Sequence, residues 1–472
     1  MNSALLLMLV PLVGGLTAYV VWPRNPRLAT LSGALTSGVL ALLALWLPVG
    51  EPIRLLGFEI PVDQAFTILG REFIFETSGR PALVFLHLAG TFLFAGTLAV
   101  PMRRLFIPIS LSILGAMAAA LFVRPFLYAA IFLALSAAAF GGILSDPDHP
   151  RSRGALRLLV FVVLGMPFIL LAGSQLSLSG QIPSELDQLN RILVLLGIGF
   201  AFLMALPPFH FWVVDIADDS PPYAVAFVLT LFQGASLFFL LRFLAEFAWL
   251  RTIPQVHQAF GVAGAAMCLM GGMLALIQNR LGRLTGYAAM ANMGVILLAL
   301  SSGKEAGTEA ALVMLALRGL SLGVWGVALT VLRQRHSQDA LTDLRGRAKE
   351  QPLASMAVVI AGLSLAGLPG LAGFSGHWAT IQVLGAPAGP ANYAPLLAIA
   401  GSMIACELAY LRFASSMLAG AGRLTFRREE GRMPALFLGA GMLMLILLGL
   451  LPQLVLPFIA RSALLFGNLA LP

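Results

Sequence analysis

Fourteen apolar runs, each close to the length of one bilayer crossing, leave this chain few ways to fold. They fall at about 3–22, 28–47, 80–100, 104–122, 125–145, 155–176, 190–216, 220–246, 255–277, 284–301, 308–333, 353–385, 391–419 and 433–457. A helix needs ~20 mostly apolar residues to cross the hydrocarbon core. Hydrophobic residues fill 59% of the 472 positions and charged residues 11%, against about 25% charged in soluble domains. The sequence therefore predicts an all-α polytopic membrane protein with about fourteen transmembrane helices. The first run, MNSALLLMLVPLVGGLTAYVVW, has no basic stretch ahead of it and reads as a spanning helix, not a cleaved signal peptide. The less apolar, partly alternating stretch 51–79 is expected to form an extramembrane hairpin. These boundaries divide the chain into helices 1–3 with that hairpin (1–103), a central core (104–420), and helix 14 with its tail (421–472).

The net charge of +8 does not point to nucleic acid, because the basic residues are spread over short loops between apolar spans. Odd-numbered loops hold most of them, including Arg24, Arg27, Arg103, Arg104, Arg151, Arg153, Arg157, Arg280, Arg283, Arg333, Arg345, Arg347, Arg423 and Arg432. Even loops and the termini hold fewer: Arg54, Arg71, Arg80, Arg124, Arg191, Arg251, Lys304 and Arg461. The positive-inside bias then puts the odd loops in the cytoplasm and both termini on the outer side. Cys268 and Cys406 both lie inside apolar runs, which argues against a disulfide framework or a metal cluster. There is no phosphate-binding glycine loop, no HExxH and no dinucleotide fingerprint. No cofactor, metal or catalytic site of its own is expected in this chain.

Two runs are interrupted. Span 7 and its sequel read GIGFAFLMALPPFHFWVVDIADDSPPYAVAFVLTLFQGASLFFLLR (197–242), with Pro207 and Pro208 at the break and His210 just after it. Span 12 contains SLSLAGLPGLAGFSGHWATIQ (364–382), with Pro369 and Gly370 at its break and His377 beyond. Irregular backbone at membrane depth survives only where protein or a water-filled cavity surrounds it, and polar residues beside such breaks commonly mark an ion or substrate path. Ordinary proline kinks in packed helices are the alternative. Breaks five spans apart predict two five-helix repeats, spans 4–8 and 9–13, the second inverted in the membrane.

Intramembrane polar residues are costly and are functional candidates by default. Here they are Arg318, Glu407, His377, Gln233 and, more weakly, His210 and His87. Arg318 and Glu407 could instead form a static cross-helix ion pair, and His210 could cap the broken backbone. Arg242 and Arg412, toward helix ends, are expected to snorkel to the interface. Asp215, Asp218 and Asp219 are expected to be solvated or to cap the helix that follows.

Four ordered stretches resemble one family. PFHFW (208–212) followed by SPPYAVAF (220–227), IQNRLGRLTGYAAMANMGVILL (277–298), LTDLRG (341–346) and SLAGLPGLAGFSGHW (364–378) are similar to the motifs of antiporter-like membrane subunits. Such subunits occur in respiratory complex I, Mrp cation/proton antiporters and membrane-bound hydrogenases. The short tail after span 14 lacks the long lateral helix of the L-type subunit, so the resemblance favours the N- or M-type subunits of NADH-quinone oxidoreductase or the Mrp D-type. It implies a bacterial inner-membrane location, neighbouring membrane subunits and lipid as partners, and protons or sodium as the transported ion. Quinone contact is left open.

The resemblance also implies a polar axis of a span 5 glutamate and lysines in spans 7, 8 and 12, since a desolvated lysine can exchange a proton. Position by position, that axis is degenerate. Leu133 or Ala134 stands at the glutamate position, Leu203 and Gln233 at the first two lysine positions, His377 at the third, and Asn292 where a span 10 histidine is common. The two lysines of the chain, Lys304 and Lys349, are both in loops. Of these positions His377 keeps a titratable side chain, with an unperturbed pKa of ~6.5 suited to proton exchange. A proton path would run through His377, Glu407 and Arg318, with Gln233 and His210 holding water. The alternatives are a structural, non-pumping subunit that docks its neighbours, and a stand-alone cation/proton antiporter.

Overall fold

Proline sets where many of these helices begin. It is the first or second residue of seven of them, where its missing N–H costs nothing because that turn has no intrahelical acceptor to offer. In the computed structural model, residues 2–47, 53–55, 58–60, 63, 65–145, 153–179, 186–334, 339–385, 393–419 and 430–465 are described. The helices are α1 (Ser3–Val21), α2 (Pro26–Trp46), α3 (Arg80–Gly96), α4 (Phe106–Phe122), α5 (Ala129–Leu144), α6 (Gly154–Ser179), α7 (Leu186–Met204), α8 (Phe211–Asp219) and α9 (Pro222–Glu246). They continue with α10 (Pro254–Leu276), α11 (Leu281–Ser301), α12 (Glu305–Arg333), α13 (Pro352–Ala366), α14 (Ala372–Gly385), α15 (Ala394–Leu418), α16 (Arg432–Leu450) and α17 (Leu456–Leu465). Among the described residues, twelve helices are long and apolar enough to cross a membrane. The protein is an integral membrane protein.

The chain forms two compact units. One comprises Met1–Ile143, Leu159–Leu203 and Leu231–Glu246; the other comprises Leu144–Leu158, Met204–Thr230 and Phe247–Pro472.

In the first unit, small residues let helices approach closely, the usual device where lipid removes the hydrophobic drive between helices. A side chain at Gly115 of α4 would come within 2.9 Å of the Met8 carbonyl oxygen of α1, and one at Gly90 of α3 within 2.8 Å of the Ser37 hydroxyl of α2. The 51–79 segment carries two antiparallel hairpins: β1 (Ile53–Leu55) with β2 (Phe58–Ile60), and β3 (Ala65–Ile68) with β4 (Arg71–Ile74). β4 also pairs with β5 (Val123–Arg124), the link between α4 and α5. A polar knot secures this end. Glu76 accepts from Arg124 and from Arg242 at 3.2 Å, and Arg124 also meets Glu246 at 2.6 Å. Burial pushes the Glu76 carboxyl up, but hydrogen bonding and charge from Arg124 and Arg242 hold it below the ordinary glutamate value. Arg242 therefore does not snorkel. It is buried, donates to the Leu121 carbonyl, and sits 5.0 Å from the centre of the Phe126 ring. A carboxylate and a carbonyl within reach replace the water it would otherwise seek.

In the second unit both predicted breaks are present. The first separates α7 from α8: Ala205 takes a positive φ of 60°, the Pro207–Pro208 peptide is cis, and His210 occupies the position before α8. The second separates α13 from α14 and explains the GLPG sequence. Gly367, at φ +92°, ends α13 in the left-handed conformation that a Cβ disfavours. Leu368 N–H donates to the Leu363 carbonyl at 3.0 Å and Gly367 N–H to that of Ser364 at 3.1 Å, the Schellman pattern of helix termination.

The acids after the first break do more than meet solvent. The last turn of α8 is the negative end of its dipole, an unfavourable place for carboxylates, and arginines from three segments offset this. Asp215 pairs with Arg157, and Asp218 with Arg280 at 3.0 Å and Arg283 at 3.6 Å. Asp219 accepts the N–H groups of Arg153 (2.8 Å) and Gly154 (3.2 Å), so it caps α6 and not the following α9. Buried Asp339 completes the clasp with Gly282 N–H and Arg333, both at 2.7 Å, and Arg280 at 3.4 Å. Gly282 and Gly286 let α11 lie against Ala217 and Val214 of α8, which brings these charges together. Arg412 likewise donates to the Gln278 carbonyl at the end of α10 and does not simply snorkel.

One predicted span differs. The run 433–457 is α16 to Leu450, a 3-10 turn at Pro452–Leu454, then α17. Pro452 has no N–H for the Leu448 carbonyl, so α16 cannot continue through it.

Removing one partner of a buried charge cluster leaves the others uncompensated. Asp339→Ala should lower stability by about 3–5 kcal/mol, read as a fall in the thermal unfolding midpoint of the solubilised protein. Burial raises the Asp339 carboxyl, but Arg333, Gly282 N–H and Arg280 outweigh it and hold it below the ordinary aspartate value. Its stabilisation is complete above ~3.9 and is lost as pH falls through the lower folded value. Asp339→Asn should flatten that component of acid sensitivity.

Candidate functional site

The second unit gathers polar groups around α12. Ser321 lies one helical turn beyond Arg318, which puts the two on the same side of the helix. Arg318 is buried, and its guanidinium donates to the Leu229 carbonyl of α9 at 3.0 Å and to the Ala289 carbonyl of α11 at 3.5 Å. Those carbonyls already serve their own helices, and a carbonyl oxygen has a second lone pair to offer. Glu407, on α15, makes no ion pair with Arg318 among the described residues. The expected cross-helix pair is not formed.

Asn292, buried on α11 one turn from Ala289, uses its amide to donate to the Ala288 and Leu365 carbonyls, both at 2.8 Å. Leu365 is next to Ser364, which receives the hydroxyl of Ser321 at 2.9 Å. The Ser364 oxygen in turn accepts the Gly373 N–H at 3.0 Å, across the break. Gly373 leads to His377, whose Nδ1 lies 2.9 Å from the Gly373 carbonyl. A carbonyl can only accept, so Nδ1 carries the hydrogen and Nε2 is the nitrogen able to take a proton. The ring also packs on Gly367, where a Cβ would stand 2.9 Å from Nδ1. Hydrogen bonds thus link α12 to the His377 break through Ser321, Ser364 and Gly373, a connection that Asn292 adjoins at Leu365 and Arg318 adjoins one turn away on α12. Ser321 and Ser364, not singled out from the sequence, are its joints. The one-turn spacing of Ser321 from Arg318 and the position of Ser364 just before the LAGLPGLAG break were the available signals.

Other candidates lie elsewhere. His210 is buried before α8, but its side chain makes no capping hydrogen bond. Its ring centre is 4.4 Å from that of Phe211 and 6.2 Å from that of Tyr287, and Nδ1 has no partner among the described residues. The first unit holds Gln233, Leu203, Leu133 and Ala134. Gln233 and Leu203 are buried, Leu133 is buried on α5, and Ala134 is half-buried beside it. Beside Gln233, Gly234 packs on Phe85 and Phe232 meets Phe140 edge-on at 5.8 Å; Leu203 touches Gly165. His87 is buried on α3, with Ser37 3.5 Å from its Nδ1. Among the described residues no three His, Cys, Asp or Glu side chains converge in a metal-binding arrangement.

A polytopic helical membrane protein with two interrupted helices and a buried polar connection at one break defines an antiporter-like class. The family profile described as NADH:quinone oxidoreductase/Mrp antiporter, TM matches residues 155–402. NADH-quinone oxidoreductase subunit N of Rhodopseudomonas palustris (strain BisA53) is 30% identical over 394 residues, 79% of this chain and 81% of that protein. The chain belongs to the NADH:quinone oxidoreductase/Mrp antiporter membrane family, as its four motifs implied. With other curated subunits N the matched region is shorter, 46–48% of their own length, so the chain spans about half of those relatives. The fold itself extends further. A chain of respiratory complex I from Thermus thermophilus with bound NADH superposes with a TM-score of 0.77 at 21% identity, covering 99% of this chain and 100% of that one. A chain of the Mrp complex from Dietzia sp. DQ12-45-1b gives 0.80 at 17% identity, covering 98% and 97%.

Ser364→Ala would leave the Gly373 N–H without its partner, while the Ser321 hydroxyl keeps the Leu317 carbonyl at 3.0 Å. An unsatisfied buried donor costs about 1–3 kcal/mol. The variant should show that loss in thermal unfolding, and faster amide exchange at Gly373, while α11 exchange is unchanged.

Proposed function

We propose that this chain is an antiporter-like membrane subunit of a redox-driven complex of the complex I type or a related one, with a rewired proton path. The observation that carries this reading is His377. It lies at the span 12 lysine position, buried, and joined through Gly373, Ser364 and Ser321 to the helix that bears Arg318. A neutral imidazole held by one nitrogen can take and release a proton at the other. Arg318, effectively always charged, would set the local potential without itself exchanging protons. Leu203 carries no proton, and Gln233 can bind water but not charge. The path is accordingly degenerate relative to the lysine–glutamate axis of the family.

On this reading the chain holds no redox cofactor, and neighbouring subunits perform the electron chemistry and pack against it in lipid. The breaks, five spans apart, support two inverted repeats, spans 4–8 and 9–13. The arginine-rich loops support a bacterial inner-membrane location with both termini on the outer side.

His377→Ala in the parent complex, reconstituted in vesicles, should lower the number of protons moved per electron while the complex still assembles. His377→Lys, which restores the family's residue type, should recover part of it. A ratio unchanged by His377→Ala sinks the proton-path reading. One observation favours the structural alternative: Arg318 is bonded to backbone carbonyls, a role that fixes helices in place. That alternative expects Arg318→Ala to reduce the amount of assembled complex, measured on native gels, with coupling intact in what remains.

A further inference from the structure

Glu407 stands near the midpoint of α15, half-buried, and makes no hydrogen bond or ion pair among the described residues. Ile404, Leu408 and Leu411, within one turn of it on the same side, are exposed. They give α15 an exposed apolar face with a single carboxylate set into it.

A carboxylate at mid-membrane depth is costly unless it snorkels, pairs or faces water. A glutamate side chain is too short to reach the interface from the middle of a helix of this length, and no partner within the described chain answers it. Lipid headgroups lie at the interface and cannot meet it either. We propose that the exposed face of α15 is a docking surface for a membrane helix of a neighbouring subunit that brings an arginine or lysine to Glu407. This rests on the reading of the chain as a subunit of a larger complex. The apolar residues supply packing area, and the carboxylate sets register and depth, as a single buried polar residue does between apolar helices. Glu407 on this view is an assembly determinant and not a member of the His377 path.

The test uses the assembled parent complex. A photoreactive amino acid at Leu408 or Ile404 should, on illumination, join this chain to one other membrane subunit. The linked peptide should lie in a transmembrane segment with Arg or Lys within a turn of the adduct. Glu407→Lys, which sets like charges together, should lower the complex-bound fraction about tenfold or more, with the chain still present in the membrane by immunoblot. Glu407→Asp should retain assembly, and Glu407→Gln should fall between the two. Adducts with lipid alone or with a second copy of this chain overturn the proposal. So does a Glu407→Lys complex recovered in wild-type amount. If no other subunit copurifies with the wild-type chain, the subunit reading fails and this inference falls with it; if a complex copurifies and only lipid is labelled, the docking surface alone fails.

Discussion

In hydrocarbon, every backbone N–H and C=O must find its partner inside the protein, and the two places where a spanning helix stops show how this chain meets that demand. At the break after α13 the freed groups are taken up by the Schellman bonds at Gly367 and Leu368 and by the Ser364 hydroxyl, which accepts the Gly373 N–H. The same hydroxyl receives Ser321 from α12. The repair of broken backbone and the polar connection to His377 are therefore one set of bonds. A residue that repairs the break cannot be exchanged freely, and a histidine placed beside it inherits a fixed orientation.

The first break is treated differently. Its hydrogen bonds are few, and His210 caps nothing with its side chain. What holds α8 is the charge cluster at its far end, where Asp215, Asp218 and Asp219 meet arginines and backbone N–H groups from the start of α6, the start of α11 and the end of α12. One break is stabilised locally by hydroxyl and backbone, the other at a distance by ion pairs. This difference bears on function. The locally stabilised break carries the buried His377, whereas Leu203, before the first break, packs on Gly165.

Much of the architecture was readable because lipid imposes simple rules on sequence. Apolar runs of one crossing each, prolines at helix starts, and the proline–glycine breaks all correspond to helices and interruptions in the structure. Reading failed where an outcome depended on a distant neighbour. Arg242 looked like a snorkelling residue because it lies toward a helix end; Glu76, which receives it, lies 166 residues away in sequence. Asp219 looked like a cap for the helix that follows it, but the N–H groups it accepts belong to Arg153 and Gly154. The last apolar run concealed Pro452, a local signal that length alone overrode.

From the sequence alone came the membrane class, the positions of the two breaks and the family motifs. These follow from composition and spacing, which act locally along the chain. Only the tertiary structure decided which polar groups meet. Arg318 went to the carbonyls of Leu229 and Ala289 and not to Glu407, and Ser321 and Ser364 joined α12 to the His377 break. Partner choice for a buried polar group is made by whichever donor or acceptor packing brings within about 3 Å, and no periodicity in the sequence encodes that distance.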